Sequence, residues 1–179
     1  MDNLLHDDIY EVVKVNPEGK KFERVNRLVC KGQTYETDLT LDIASEVYNL
    51  KEGDKVAFAI ATTLRLDGKP EEDTFNQDGK VRHEPLFYEV LASIIVIVSP
   101  SLSLPSPHLS HRLSLQPSLL DNFEYGMCGK VFRYDYDDNN RVSIIASFGG
   151  LLMQLKGEVR HLVKIKMDDR IYALLRRSK

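Results

Sequence analysis

Tyr35-Glu-Thr-Asp-Leu-Thr-Leu-Asp-Ile43 alternates over its second half, so that Leu39, Leu41 and Ile43 fall on one face of an extended strand. Lys55-Val-Ala-Phe-Ala-Ile-Ala61 repeats the pattern with Val56, Phe58 and Ile60. On the N-terminal side, Ile9-Tyr-Glu-Val-Val-Lys-Val15 is β-branched and partly alternating, and Phe22 to Cys30 sets Phe22, Val25 and Leu28 among polar neighbours. Asn16-Pro-Glu-Gly19, Lys31-Gly32, Lys51-Glu-Gly-Asp54 and Asp67-Gly68 separate these runs with turn chemistry. On the C-terminal side, Phe123 to Tyr136, Arg141 to Phe148, Leu151 to Leu155 and Asp169 to Arg177 read as further strands, with Asp137-Asp-Asn-Asn140 as a turn. The Gly149-Gly150 pair inside this run predicts a bulge or sharp bend of the kind barrel corners need. Helix has little support, beyond one short turn within Ile43 to Leu50. The expected fold is all-β: a closed antiparallel barrel or a sandwich.

One block does not share this texture. From Leu86 to Gln116 only Glu89 and Arg112 are charged, and a greasy run, Val90 to Val98, leads into a Ser-Leu-Pro tract, Ser99 to Gln116. A proline-rich docking motif is disfavoured, because no PxxP with a flanking basic residue is present where an SH3 ligand needs it. Ser, Leu and Pro share pyrimidine-rich codons, as in a translated tract before a splice acceptor. Val81-Arg82 can be encoded with a donor-like sequence, and Gln116 by CAG. Removing these 36 residues joins Lys80 to Pro117 in frame, leaves 143 of the 179 and does not change the net charge. Residues 81–116 are therefore read as an insertion or retained-intron segment outside the core of a single domain spanning 1–179, with a genuine loop insertion as the alternative.

Composition narrows the function. With 42% hydrophobic and 28% charged residues the chain is that of an ordinary globular protein. Lys plus Arg total 24 against 27 Asp plus Glu, a formal net charge of -3, which lacks the basic excess that phosphate binding draws on. Met1 to Asp8 is acidic, so no secretory signal is expected, and Val90 to Val98 is too short for a membrane span. The two cysteines, Cys30 and Cys128, cannot make a disulfide framework and read as small core residues in a reducing compartment.

The residues that carry chemistry do not gather. His6, His83, His108, His111 and His161 are scattered, and the His108/His111 spacing has no further metal ligands nearby. Asp135, Asp137, Asp138, Asn139 and Asn140 lack the central Gly and terminal Glu of a calcium loop and fit a polar hairpin tip. Gly126 and Gly129 do not open a helix, so they are not a phosphate cradle. Asp7/Asp8 and Glu71/Glu72 read as solvated surface. The chain is read as non-catalytic, without cofactor or metal. Its consecutive Leu151, Leu152 and Met153 alternate, so one set of side chains faces outward toward a partner unless the barrel buries both faces, and Gly149, Gly150, Leu151, Leu152 and Met153 are the candidate partner-contact stretch.

Four stretches, Pro17-Glu-Gly-Lys-Lys-Phe-Glu-Arg-Val-Asn-Arg-Leu28, Phe123-Glu-Tyr-Gly-Met-Cys-Gly-Lys-Val-Phe-Arg133, Ser147-Phe-Gly-Gly-Leu-Leu-Met-Gln-Leu-Lys-Gly157 and Asp169-Arg-Ile-Tyr-Ala-Leu-Leu-Arg176, resemble in this order the common small subunit shared by eukaryotic nuclear RNA polymerases I, II and III, the eighth-largest subunit family. The likeness spans nearly everything outside Val81 to Gln116, and Lys80 joined to Pro117 looks like the family's own run into the next strand. Gly126 and Cys128 depart from it, where the family usually has an aliphatic residue and Tyr or His.

The resemblance implies an antiparallel barrel related to the OB-fold, and a structural role in transcription as part of a hetero-oligomer. The subunit would dock on the largest polymerase subunit and neighbouring core subunits, in the nucleus including the nucleolus, without cofactor or stable direct nucleic-acid contact. The rival is an independent OB-type single-stranded nucleic-acid binder, for which Lys20, Lys21, Arg24 and Arg27 would supply a basic groove unless they form one solvated strand face.

Overall fold

The computed structural model describes residues 3–69, 96–98 and 118–178. Nine strands follow one another: β1 (Leu4–Val15), β2 (Val25–Gly32), β3 (Asp38–Ala44), β4 (Lys55–Ala61), β5 (Val96–Val98), β6 (Tyr125–Tyr136), β7 (Arg141–Phe148), β8 (Leu151–Glu158) and β9 (Arg170–Arg177). Helix is confined, among the described residues, to a 3-10 turn at Leu119–Asn122 and a single turn, α1, at Val159–Leu162.

Eight of the strands close a ring in the order β6-β7-β8-β3-β2-β1-β4-β9, and β9 returns to β6 through pairs running from Tyr125↔Leu175 to Lys130↔Arg170. Every pairing is antiparallel. Closure removes most of the exposed edge that makes an open sheet a template for aggregation. Of the two architectures the sequence allowed, the barrel is the one formed.

The 12-residue β6 serves two neighbours. Its first half pairs with β9, and its second half pairs with β7 from Lys130↔Ser147 to Tyr136↔Val142. The register shifts between Val131 and Arg133, and a bulge there bends the strand as it leaves β9. β1 carries similar irregularities between Leu4 and His6 and between Val12 and Lys14. At Gly149-Gly150, where the sequence predicts a bulge or sharp bend, the structure has the bend and no bulge. Those glycines form the two-residue turn of the β7–β8 hairpin, with Phe148↔Leu151 as the last pair and φ of +61° and +104°. A turn with positive φ at both positions matches the twist of the flanking strands, and glycine adopts it without steric cost.

The interior is filled by the alternating residues. Leu39, Leu41, Ile43, Val56, Phe58 and Ile60 are all essentially inaccessible, together with Tyr10, Leu28, Met127, Ile144, Met153 and Leu155. Fully burying one such side chain stabilises by about 1.5–3 kcal/mol. A second cluster covers the outside of β4 and β9, where Ala59, Ala61, Tyr172 and Leu174 pack with Leu64 and with Leu120 from the 3-10 turn. Gly126 belongs here too: a β-carbon on it would lie 3.0 Å from Leu120 Cδ1 and 3.1 Å from Leu174 Cδ2. The leucines thus fill the space that an aliphatic side chain would take.

Aromatic rings pin the closure of the barrel. The Tyr48 and Tyr125 rings stack at 5.1 Å, the Tyr48 hydroxyl donates to Glu124 at 2.9 Å, and the Arg177 guanidinium lies 5.2 Å from the Tyr48 ring centre. Tyr125 Oη accepts from the Ala44 amide at 3.1 Å. These contacts join the chain after β3 to the ends of β6 and β9.

Candidate partner interface

β8 alternates as its sequence requires. Leu151 and Met153 are buried, and Leu152 between them is 40% exposed. The hairpin turn places Gly149 and Gly150 at the surface. Of the five residues in the candidate contact stretch, the two glycines and Leu152 are thus presented to solvent, while Leu151 and Met153 anchor the strand in the core.

Leu152 stands on a fixed platform. Its amide donates to Asp42 Oδ2 at 3.2 Å. The same carboxylate receives Arg27 Nε on Oδ1 at 2.7 Å and Arg27 Nη2 on Oδ2 at 2.8 Å. Arg27 and Asp42 face each other across the β2–β3 pair, and Asp42 is almost fully covered. Two parallel charge-assisted bonds fix direction as well as distance. The hydrogen bond to Asp42 raises the Arg27 guanidinium above its ordinary pKa, partly opposed by desolvation, with attraction to the same carboxylate adding to the rise. Asn16, at φ +52° just beyond β1, accepts from the Arg27 amide at 2.8 Å and donates to Asn26 Oδ1 at 3.0 Å. A shallow groove beside this network is lined by Pro17, Phe22, Val25, Arg27 and Asp42, and Phe22 is 67% exposed.

Two of the stretches singled out in the sequence, Pro17 to Leu28 and Ser147 to Gly157, therefore meet at Asp42. The sequence reading missed Phe22 as a surface residue and missed Asp42 altogether. A single strand pattern shows that Asp42 points outward, but not that it lies opposite Arg27 and beneath Leu152.

The four cations of the rival reading do not form one strand face. Lys20, Lys21 and Arg24 precede β2, and only Arg27 lies within it. Lys21 is paired with Glu18, Arg24 with Glu46 and Arg27 with Asp42. Three of the four charges are thus met by carboxylates within the chain, which opposes a phosphate-binding groove.

The remaining candidates disperse. His83, His108, His111, Glu71 and Glu72 lie outside the described residues. His6 and His161 both pack against Tyr35, with ring centres 5.9 and 4.7 Å from it. His6 Nε2 contacts Tyr10 Oη at 2.9 Å, and Tyr10 Oη contacts Thr37 Oγ1 at 2.6 Å, which continues a buried polar chain. Asp8 is not solvated surface: it is buried and accepts from the amides of Ile9, Thr34 and Tyr35 at 2.7, 3.1 and 3.2 Å. Cys30 is buried, and desolvation pushes its thiol up to about 12, which makes it inert. Cys128 is half-buried and accepts from Arg170 Nε at 3.3 Å. Asp135 pairs with Arg133, and Asp137 with Lys156, at the β6–β7 hairpin tip.

By architecture the molecule is a small closed antiparallel β-barrel protein. The family model described as RNA polymerase Rpb8 matches residues 7–91 and 90–177. The chain belongs to the RNA polymerase Rpb8 family. Among its relatives, a Dictyostelium discoideum protein named DNA-directed RNA polymerases I, II, and III subunit rpabc3 is 33% identical over 179 residues, covering 99% of this chain and 100% of the relative. The Arabidopsis thaliana DNA-directed RNA polymerases II, IV and V subunit 8B is 30% identical, covering 97% and 96%. The Saccharomyces cerevisiae DNA-directed RNA polymerases I, II, and III subunit RPABC3 is 29% identical, covering 99% and 100%.

Proposed function

We propose that this chain is a structural, non-catalytic subunit shared by DNA-directed RNA polymerases I, II and III, docked on the largest subunit and its core neighbours. It works in the nucleus, including the nucleolus, without a cofactor and without stable direct contact to nucleic acid. The observation that carries this reading is the match, over nearly the whole length of both chains, to relatives bearing that name. The acidic balance and the internally paired cations agree with protein contacts rather than phosphate contacts. Gly149, Gly150 and Leu152 form the contact surface, with Leu151 and Met153 holding it in place.

Leu152→Asp tests the contact surface. Leu152 is partly exposed, so the variant keeps the fold, and co-purification of the largest polymerase subunit with a tagged copy falls by about tenfold, the effect of losing one buried apolar contact in an interface. Unchanged recovery with a folded variant contradicts the assignment.

We read residues 81–116 as an insertion or retained-intron segment that the core fold does not need. The ring of eight strands closes without β5, and the two blocks of the family match meet at residues 90 and 91, inside the segment. Transcript sequencing across Lys80 and Pro117 decides the matter: a dominant message joining the two supports this reading, and a dominant message carrying the whole segment contradicts the retained-intron form.

A further inference from the structure

β6 has two edges, and they are covered unequally. β9 runs along one edge from Tyr125 to Lys130. β7 covers the other only from Lys130 to Tyr136, because β7 ends at Phe148 and the chain turns back at Gly149-Gly150. The edge at Tyr125–Met127 thus lies in the wall of the barrel beyond the reach of β7. In this chain β5 fills it as an antiparallel strand, with Val96↔Met127, Ile97↔Gly126 and Val98↔Tyr125. β5 lies outside the closed ring and comes from the block whose composition is foreign to the rest of the chain.

The slot has a readable preference. Tyr125 and Met127 are fully buried in the interior core, whereas Gly126 abuts Leu120 and Leu174 of the outer cluster. Residues paired across antiparallel strands share a face. A strand laid on this edge therefore sets two alternate residues toward the core side and one between them outward. An extended segment with apolar or β-branched residues at alternate positions fits, and proline does not.

We propose that the Tyr125–Met127 edge of β6 is a strand-acceptor site for an extended apolar segment of another polymerase subunit, and that Val96–Val98 occupies it within the chain. This rests on the subunit reading above. It makes β5 a competitor: a chain without residues 81–116 offers the edge to the partner, and a chain with them must first release it.

Hydrogen exchange tests the site on tagged full-length chain and on a variant lacking residues 81–116, each measured free and within polymerase purified from cells. In the free deletion variant the amides within Tyr125–Met127 that point away from β9 exchange faster than in the full-length chain. On assembly into polymerase they slow by about tenfold or more, as amides do when an open edge becomes paired. Ile97→Pro in the full-length chain, which breaks β5 and leaves the barrel strands untouched, gives the same pair of readings if the deletion does not fold. Polymerase recovered with these amides still as fast as in the free variant overturns the strand-acceptor site alone. A free variant whose edge is already as protected as in the full-length chain also overturns it. Failure to recover any polymerase overturns the subunit reading and the site with it.

Discussion

The Asp42 carboxylate holds the Arg27 guanidinium through nitrogen–oxygen contacts of 2.7 and 2.8 Å, and with the same group it accepts the amide of Leu152 from a third strand. β2, β3 and β8 are thereby locked at the point where the proposed contact surface emerges. The Arg27 side chain is 38% exposed, so the ion pair itself adds little through screened attraction, and the larger effect comes from the nearly buried carboxylate.

Asp42→Ala leaves the Arg27 fork and the Leu152 amide without their acceptor. The expected loss is about 1–3 kcal/mol, the cost of unsatisfied donors at a partly buried site. Urea unfolding of the variant against the parent measures it. A loss well under half a kilocalorie per mole means that water replaces the carboxylate without penalty.

Gly126 and Gly129 lie in the same strand yet predict different outcomes. A β-carbon on Gly129 would overlap the Ser147 carbonyl oxygen and the Phe148 ring, so Gly129→Ala should cost about 1–3 kcal/mol, as overpacking against backbone does. At Gly126 the neighbours are the ends of two leucine side chains, which can shift. Alanine there also recovers about 0.5–1 kcal/mol of backbone entropy, so Gly126→Ala should be close to neutral. Thermal unfolding of the two variants side by side checks the contrast.

Burial drives the pKa of His6 below its usual value of 6.5, and the nearby His161 lowers it further, while Asp8 and Asp7 oppose the shift. The folded chain therefore holds His6 neutral where the unfolded chain takes up a proton. Stability is complete above about pH 6.5, the unfolded value, and declines as the pH falls below it. His6→Gln should flatten this part of the profile. An equal slope in the variant between pH 7 and 5, followed by chemical unfolding, would assign the dependence to other groups.

Tyr134 carries a buried hydroxyl without a hydrogen-bond partner among the described residues, at the edge of a recess of about 320 Å3 lined by Val142, Leu162, Ile165 and Met167. Burial raises this phenol to about 12. Removing an unsatisfied buried hydroxyl relieves a desolvation cost, so Tyr134→Phe should leave the fold unchanged or stabilise it by about 1 kcal/mol. A clear loss of stability in the same unfolding assay would show that the hydroxyl is satisfied.

The sequence discloses the fold where apolar residues carry the alternation. β3 and β4 are legible because Leu39, Leu41, Ile43, Val56, Phe58 and Ile60 mark the inner face without interruption. β1 begins at Leu4, five residues before the apolar pattern reveals it, because its inward positions there are His6 and Asp8. Polar residues satisfied by Tyr10 and by loop amides keep the period of two while hiding it from a hydrophobicity reading. A Gly149-Gly150 pair signals a bulge or a sharp bend without saying which, and only the Phe148↔Leu151 register shows that it is the turn of a hairpin. Of the proposed contact surface, alternation places Leu152 on the face opposite Leu151 and Met153, and only the fold shows that this face is exposed. Its support by Asp42 and Arg27 depends on cross-strand register between segments about a hundred residues apart in the chain, which no local pattern carries.

Affinity purification of the tagged full-length chain from nuclei, with mass spectrometry of what accompanies it, tests the central claim most directly. The largest subunits of RNA polymerases I, II and III should be recovered together with it in comparable amounts. Recovery of the chain alone, with every polymerase subunit absent, would contradict the account.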